Sequence, residues 1–83
     1  MSTYRRPKTL GTVVASINLD GDGLCVDFFQ RPDFSYGFEE YRRDGETGEG
    51  WFPIGFYSDL RFETLEQARQ KAIDCVTWLE NEL

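Results

Sequence analysis

The sequence predicts an α+β fold: an antiparallel sheet of three to four strands packed on one C-terminal helix, β-β-β-β-α in two layers. Three observations lead there. Segments that alternate apolar and polar residues fill most of the chain up to residue 57. The links between them are short and rich in Gly, Asp and Pro, which favours antiparallel neighbours, since parallel pairing needs long crossovers. After residue 64 the apolar residues switch to a helical period.

Residues 1–10 are polar, contain Pro7 and carry Arg5, Arg6 and Lys8; they are expected to form a flexible basic arm ahead of a single domain over 11–83. From Thr12, the residues Val13, Ala15, Ile17 and Leu19 alternate with Val14, Ser16 and Asn18, a strand by period and by β-branched content. Asp20-Gly21-Asp22-Gly23 interrupts it. The stretch LCVDFFQ, 24–30, resumes with Leu24, Val26 and Phe28 on one face and Cys25, Asp27 and Phe29 on the other. Arg31-Pro32-Asp33 stops that strand, because proline lacks the N–H a ladder needs. Residues 34–43 alternate again. Phe34, Tyr36, Phe38, Glu40 and Arg42 share one side; Ser35, Gly37, Glu39, Tyr41 and Arg43 share the other.

The stretch DGETGEG, 44–50, has no apolar residue and reads as a loop. WFPIGFY, 51–57, reads as a fourth strand with Phe52, Ile54 and Phe56 on one face, and Pro53 points to an edge position or a bulge. Residues 58–62 are a tight connection or a short strand end. Thr64 stands three residues before Gln67, the spacing of a capping box. Leu65, Ala68, Ala72, Cys75, Val76, Leu79 and Leu83 then form one stripe, so the helix is expected over about 65–82, with Trp78 roughly 60° off the stripe. That stripe should cover one face of the sheet. The other face, with its Tyr, Glu and Arg side chains, is expected to be solvated or an interface.

The net charge is −6, from 9 basic and 15 acidic residues. A field of that sign repels phosphate backbones and anionic membranes, and it attracts basic protein surfaces or amine ligands. No apolar run is long enough to cross a bilayer, and the first residues lack a secretory apolar core, so the expected location is cytoplasmic without membrane contact. In that reducing compartment Cys25 and Cys75 are expected to be free thiols.

Site chemistry is tested motif by motif. The stretch NLDGDG, 18–23, resembles the front of a calcium loop, with Asn18, Asp20, Asp22 and Gly23 at suitable positions. Such a loop closes with a bidentate Glu at position 12, and that position is Phe29. Asp20 and Asp22 are therefore rejected as metal ligands, and the stretch is read as a hairpin turn. The chain has no histidine, the commonest general base. Cys25 has no activating partner and lies among acids, which raise rather than lower a thiol pKa. No nucleophile elbow or phosphate loop appears. Glu39 and Glu40 point to opposite faces of one strand. The chain is expected to be non-catalytic and to need no cofactor.

Aromatic residues make up 16% of the chain, more than so small a core holds. Tyr36, Tyr41, Trp51, Tyr57 and Trp78, with Arg42 and Arg43, are the candidate contact residues. The expected role is a binding or interaction module that self-associates as a homodimer or meets another protein. Two alternatives stand beside it: a nucleic-acid-binding module using the arm and the Arg42/Arg43 strand, and a small enzyme or a pocket for a cationic ligand, since aromatics beside carboxylates suit a cation.

One local resemblance adds to this. The strand–helix junction FETLEQARQKA, 62–72, resembles that of AP2-type DNA-binding domains and of the arm-binding domains of phage-type integrases. There a Phe ends the last strand, a Thr caps, and an Ala-rich helix packs behind a sheet that reads the major groove. The resemblance implies Arg42, Arg43 and Trp51 as contacts. The acidity of the chain departs from that pattern, because Glu39, Glu40, Glu46 and Glu49 surround the two arginines.

Overall fold

Four strands form one antiparallel sheet in sequence order, β1 (Thr12–Leu19), β2 (Leu24–Gln30), β3 (Tyr36–Asp44) and β4 (Gly50–Pro53). One helix follows, α1 (Leu65–Cys75), and then a 3-10 turn over Leu79–Glu82. The computed structural model describes residues 11–19, 21, 23–44 and 50–83. The expected basic arm, Asp20 and Asp22 lie outside the described residues. Leu19 pairs with Leu24 at the closed end of the first hairpin. Gly21 and Gly23 there hold φ of 91° and 66°, values that glycine takes without steric cost. None of the described helices is long and apolar enough to cross a membrane.

The helix-side core joins the two layers. Val26, Phe28 and Phe38 from the sheet meet Ala68, Ala72, Val76 and Leu79, all buried. Ala15, Ile17, Tyr36, Tyr57, Phe62, Leu65 and Trp78 pack around them. Thr64 caps the helix as expected, its hydroxyl accepting from the Gln67 N–H at 3.1 Å. Gln67 answers by accepting from the Glu63 N–H at 2.9 Å, one residue ahead of the reciprocal bond of a capping box.

The elements depart from the expected pattern in four places. In β1 the pairing runs Val13↔Phe29 and then Ala15↔Phe28, so Val14 is an extra residue, a bulge. A one-residue slip reverses the faces. Val13 therefore shares the side of Phe29 and is exposed, while Ala15 and Ile17 keep the helix side. β3 begins at Tyr36, not Phe34, because residues 31–35 close a turn with Arg31 N–H to Ser35 O at 2.8 Å and Phe34 N–H to Arg31 O at 2.9 Å. β4 ends at Pro53, which can donate nothing further to a ladder. The helix stops at Cys75 rather than near 82. Val76 is extended, at φ −106° and ψ 104°, and begins the β-branched pair Val76-Thr77, which favours that conformation. The break still sends Val76 and Leu79 into the core.

The face away from the helix is also not the open surface expected. Cys25, Asp27, Phe29, Glu39 and Tyr41 are all buried. Phe29 lies across Gly37, its cross-strand partner, where a Cβ would stand 2.8 Å from the ring. Ser16 donates to Asp27 Oδ1, which Cys25 Sγ also approaches at 3.3 Å. Cys25 and Cys75 are both free thiols.

Candidate functional site

Beyond Pro53 the chain runs along the edge of β3 that β4 leaves uncovered. The Ile54 N–H reaches Glu40 O at 2.9 Å, and Phe62 bridges Tyr36 in both directions at 2.8 and 3.0 Å. Between those two points residues 55–58 leave the ladder. Their four consecutive N–H groups turn to one side chain, the carboxylate of Glu39. Gly55 and Phe56 donate to Oε2 at 3.2 and 2.8 Å; Tyr57 and Ser58 donate to Oε1 at 2.9 and 3.1 Å. The Ser58 hydroxyl adds a bond at 3.0 Å and the Glu40 N–H another at 2.9 Å. A carboxylate 1% exposed would be costly alone, but here six donors replace its water.

Arg31 holds the same segment by its carbonyls. Its Nη2 donates to Ser58 O at 2.5 Å and to Leu60 O at 3.0 Å, and its Nη1 donates to Tyr36 O at 3.0 Å. The guanidinium also stacks 5.0 Å from the centre of the Phe29 ring. Desolvation by burial, and then repulsion from Arg61, push its pKa down from the ordinary value. Arg61 ties the next stretch back by a 2.6 Å ion pair with Asp33. Asp33 in turn accepts from the Ser35 N–H and hydroxyl at 3.0 and 2.7 Å. Those Ser35 bonds first, with Arg61 in support, hold the Asp33 carboxyl below its ordinary value.

This double hold displays apolar side chains. Phe56 is 78% exposed and Phe34, in the adjoining turn, 76%. Both sit in the left-handed region, at φ 59° and 72°, where a bulky side chain is strained. Phe52, Ile54 and Leu60 are also exposed. Two shallow clefts flank Phe34. One, of about 420 Å³, is lined by Gly11, Thr12, Gln30, Arg31 and Pro32; the other, of about 380 Å³, by Asp33, Ser35, Arg61, Phe62 and Glu63.

The residues expected to make contacts are mostly elsewhere. Tyr41 is buried, 1% exposed, so it is not a surface contact. Tyr36 and Tyr57 pack on the core, the Tyr57 ring 5.0 Å from that of Phe38, and burial raises the Tyr57 phenol above its ordinary value. Trp78 is half-buried, and its indole N–H donates to Glu40 Oε2 at 2.9 Å. Arg42 and Arg43 diverge. Arg42 aligns with Leu24 and Phe52 on the helix side, whereas Arg43 lies 5.8 Å over the Trp51 ring on the other. Phe34 and Phe56 were missed because both were counted into strand alternations. The available signals were Asp33 two residues before Ser35, an Asx-turn spacing, and Pro53-Ile54-Gly55, which cannot continue a central strand.

The chain matches no family model, and no curated protein or solved structure is significantly similar to it.

Proposed function

We propose that this chain is a non-catalytic binding module that presents exposed apolar side chains, Phe56 foremost and also Phe34, Ile54 and Leu60, to an apolar pocket on a protein partner. The observation that carries the reading is Phe56 itself. Its N–H is bound at 2.8 Å by a buried carboxylate, its φ is 59°, and its ring stays 78% exposed. Backbone strain that gains no burial within the chain is what a contact residue held ready for a partner would show. Aromatic anchors set on a rigid support dominate binding energy at interfaces. The acidity of the chain favours a partner whose rim is basic.

The separate faces of Arg42 and Arg43 give the nucleic-acid reading no shared contact surface. The cationic-ligand reading gains nothing from the tryptophans, since Trp51 lies under Arg43 and Trp78 is bonded to Glu40.

The test uses peptides selected from a random display library against the whole chain. Phe56→Ala and Phe34→Ala should each weaken the selected peptides by about tenfold or more, as for an interface anchor. Glu66→Ala, on an exposed helix position, should leave them unchanged. Selected peptides indifferent to both phenylalanines would remove the proposal.

A further inference from the structure

We propose that the cleft between Phe34 and Phe62 holds an arginine side chain of the protein partner, its guanidinium laid against the Phe34 ring and paired with Glu63. This deepens the reading above and rests on it, because Phe34 is among the side chains offered to the partner there. The cleft, of about 380 Å³, is lined by Asp33, Phe34, Ser35, Arg61, Phe62 and Glu63. That is near the small end of ligand sites, so it takes one side chain rather than a folded element. Aromatic rings set beside carboxylates are the surroundings that favour a cation. The charges of the cleft are also unequal. Arg61 is neutralised by Asp33 Oδ2 at 2.6 Å. The other Asp33 oxygen accepts from the Ser35 N–H and hydroxyl at 3.0 and 2.7 Å. Glu63 is left over. It is exposed, and among the described residues its carboxylate meets no donor, while its N–H donates to Gln67 Oε1 at 2.9 Å. The cleft therefore holds one carboxylate more than it holds cations, in a chain whose net charge of −6 draws cations from a distance.

The aromatic side of the cleft is held ready. Phe34 is 76% exposed, and the turn bonds of residues 31–35 fix its backbone at φ 72°. Phe62 is half-buried, backed by the Phe38 ring at 6.0 Å and tied by two main-chain bonds to Tyr36. Neither ring has to be ordered by the partner, which lowers the cost of binding. The same turn already uses this chemistry once, with the Arg31 guanidinium 5.0 Å from the centre of the Phe29 ring. Arginine suits the cleft better than lysine. Its flat group can lie on a ring while its edge forms two parallel N–H bonds to a carboxylate, whereas an ammonium is a point charge.

N-acetyl-arginine amide, titrated at millimolar concentration into the unaltered chain and followed by NMR, should shift Phe34, Phe62 and Glu63 saturably and leave Glu80 and Glu82 unmoved. N-acetyl-citrulline amide, of the same shape without the charge, should move none of them. In the peptides selected by display, arginine should recur at one position. Replacing it by citrulline should weaken binding about three- to tenfold, a loss that shrinks as salt rises. Glu63→Gln should weaken the arginine peptides by a similar factor and the citrulline peptides not at all. That variant should melt close to the unaltered chain, since the carboxylate it removes bonds nothing among the described residues. Peptides that need Phe56 but tolerate citrulline or Glu63→Gln overturn this proposal and leave the binding-module reading standing. Equal shifts at Glu80 and Glu82 overturn it too, as does a lysine amide that binds as well as the arginine amide. Peptides indifferent to both phenylalanines remove the binding-module reading instead, while the titration still decides the cleft.

Discussion

Replacing Glu39 by Gln changes one atom of a side chain that is 1% exposed, and the structure sets the size of the effect. The carboxylate accepts from Glu40, Gly55 and Phe56 at Oε2, and from Tyr57, Ser58 and the Ser58 hydroxyl at Oε1. An amide offers a single acceptor oxygen. Its best placement puts that oxygen toward the Oε2 donors and turns its NH₂ toward Ser58, whose hydroxyl can then accept. The N–H groups of Tyr57 and Ser58 are left facing another donor. A buried donor without a partner costs roughly 1–3 kcal/mol, so two cost about 2–6 kcal/mol. Relief from burying a charge offsets part of this, leaving a loss of about 2–4 kcal/mol. That is a large share of the stability of a domain this size and should lower Tm by about 10–25 °C. Thermal and urea unfolding measure the loss, and hydrogen exchange should show residues 55–58 losing protection first. A Glu39→Gln loss under about 1 kcal/mol would refute the reasoning, because the carboxylate would then be tolerated rather than holding the segment.

Four other outcomes follow from the same geometry. At position 56, Gly should be more stable than Ala by about 0.5–1 kcal/mol, since only Gly escapes the left-handed penalty; equal or reversed melting temperatures would contradict the strain. Trp78→Phe removes the indole donor to Glu40 and should cost about 1 kcal/mol by urea titration, with Trp51 fluorescence reporting the transition. Burial raises the Tyr57 pKa above 10.0, so its contribution is complete below pH 10 and is lost as pH rises through the raised value; Tyr57→Phe should lack that alkaline limb in melting curves. The Asp33 pKa is lowered from 3.8, so its contribution is complete above that pH and is lost as pH falls through the lowered value; Asp33→Asn should lack that part of the acid transition.

The antiparallel sheet, the C-terminal helix and the division of β2 into two faces were readable because period and turn chemistry are local; the strand order and the face that meets the helix were not. Val26, Phe28 and Phe38 followed from alternation alone, and Thr64 from its spacing to Gln67. The bulge at Val14 was not readable, because adjacent apolar residues fit either face until a partner strand sets the register. Glu39 was placed on the correct side of β3 but expected in the open. Its partners are main-chain N–H groups 16 to 19 residues further on, and a main-chain group leaves no mark in the order of side chains. The hold on Phe56 depends on that hidden bond set, whereas the turn that carries Phe34 left a local sign in the spacing of Asp33 and Ser35.

A segment gripped by its backbone is indifferent to most of what its side chains are. Residues 54–60 are held mostly through N–H and C=O groups; among the described residues, the side chains of the segment that add to the hold are Ser58, by its hydroxyl, and Tyr57, whose ring packs 5.0 Å from Phe38. Ile54, Phe56 and Leu60 can therefore be exchanged while the grip persists. Related chains that kept Glu39 and Arg31 would be free to vary those three positions and so to change partners. The edge works as a fixed mount with replaceable facing, and engineering a new specificity would begin by randomising those positions alone.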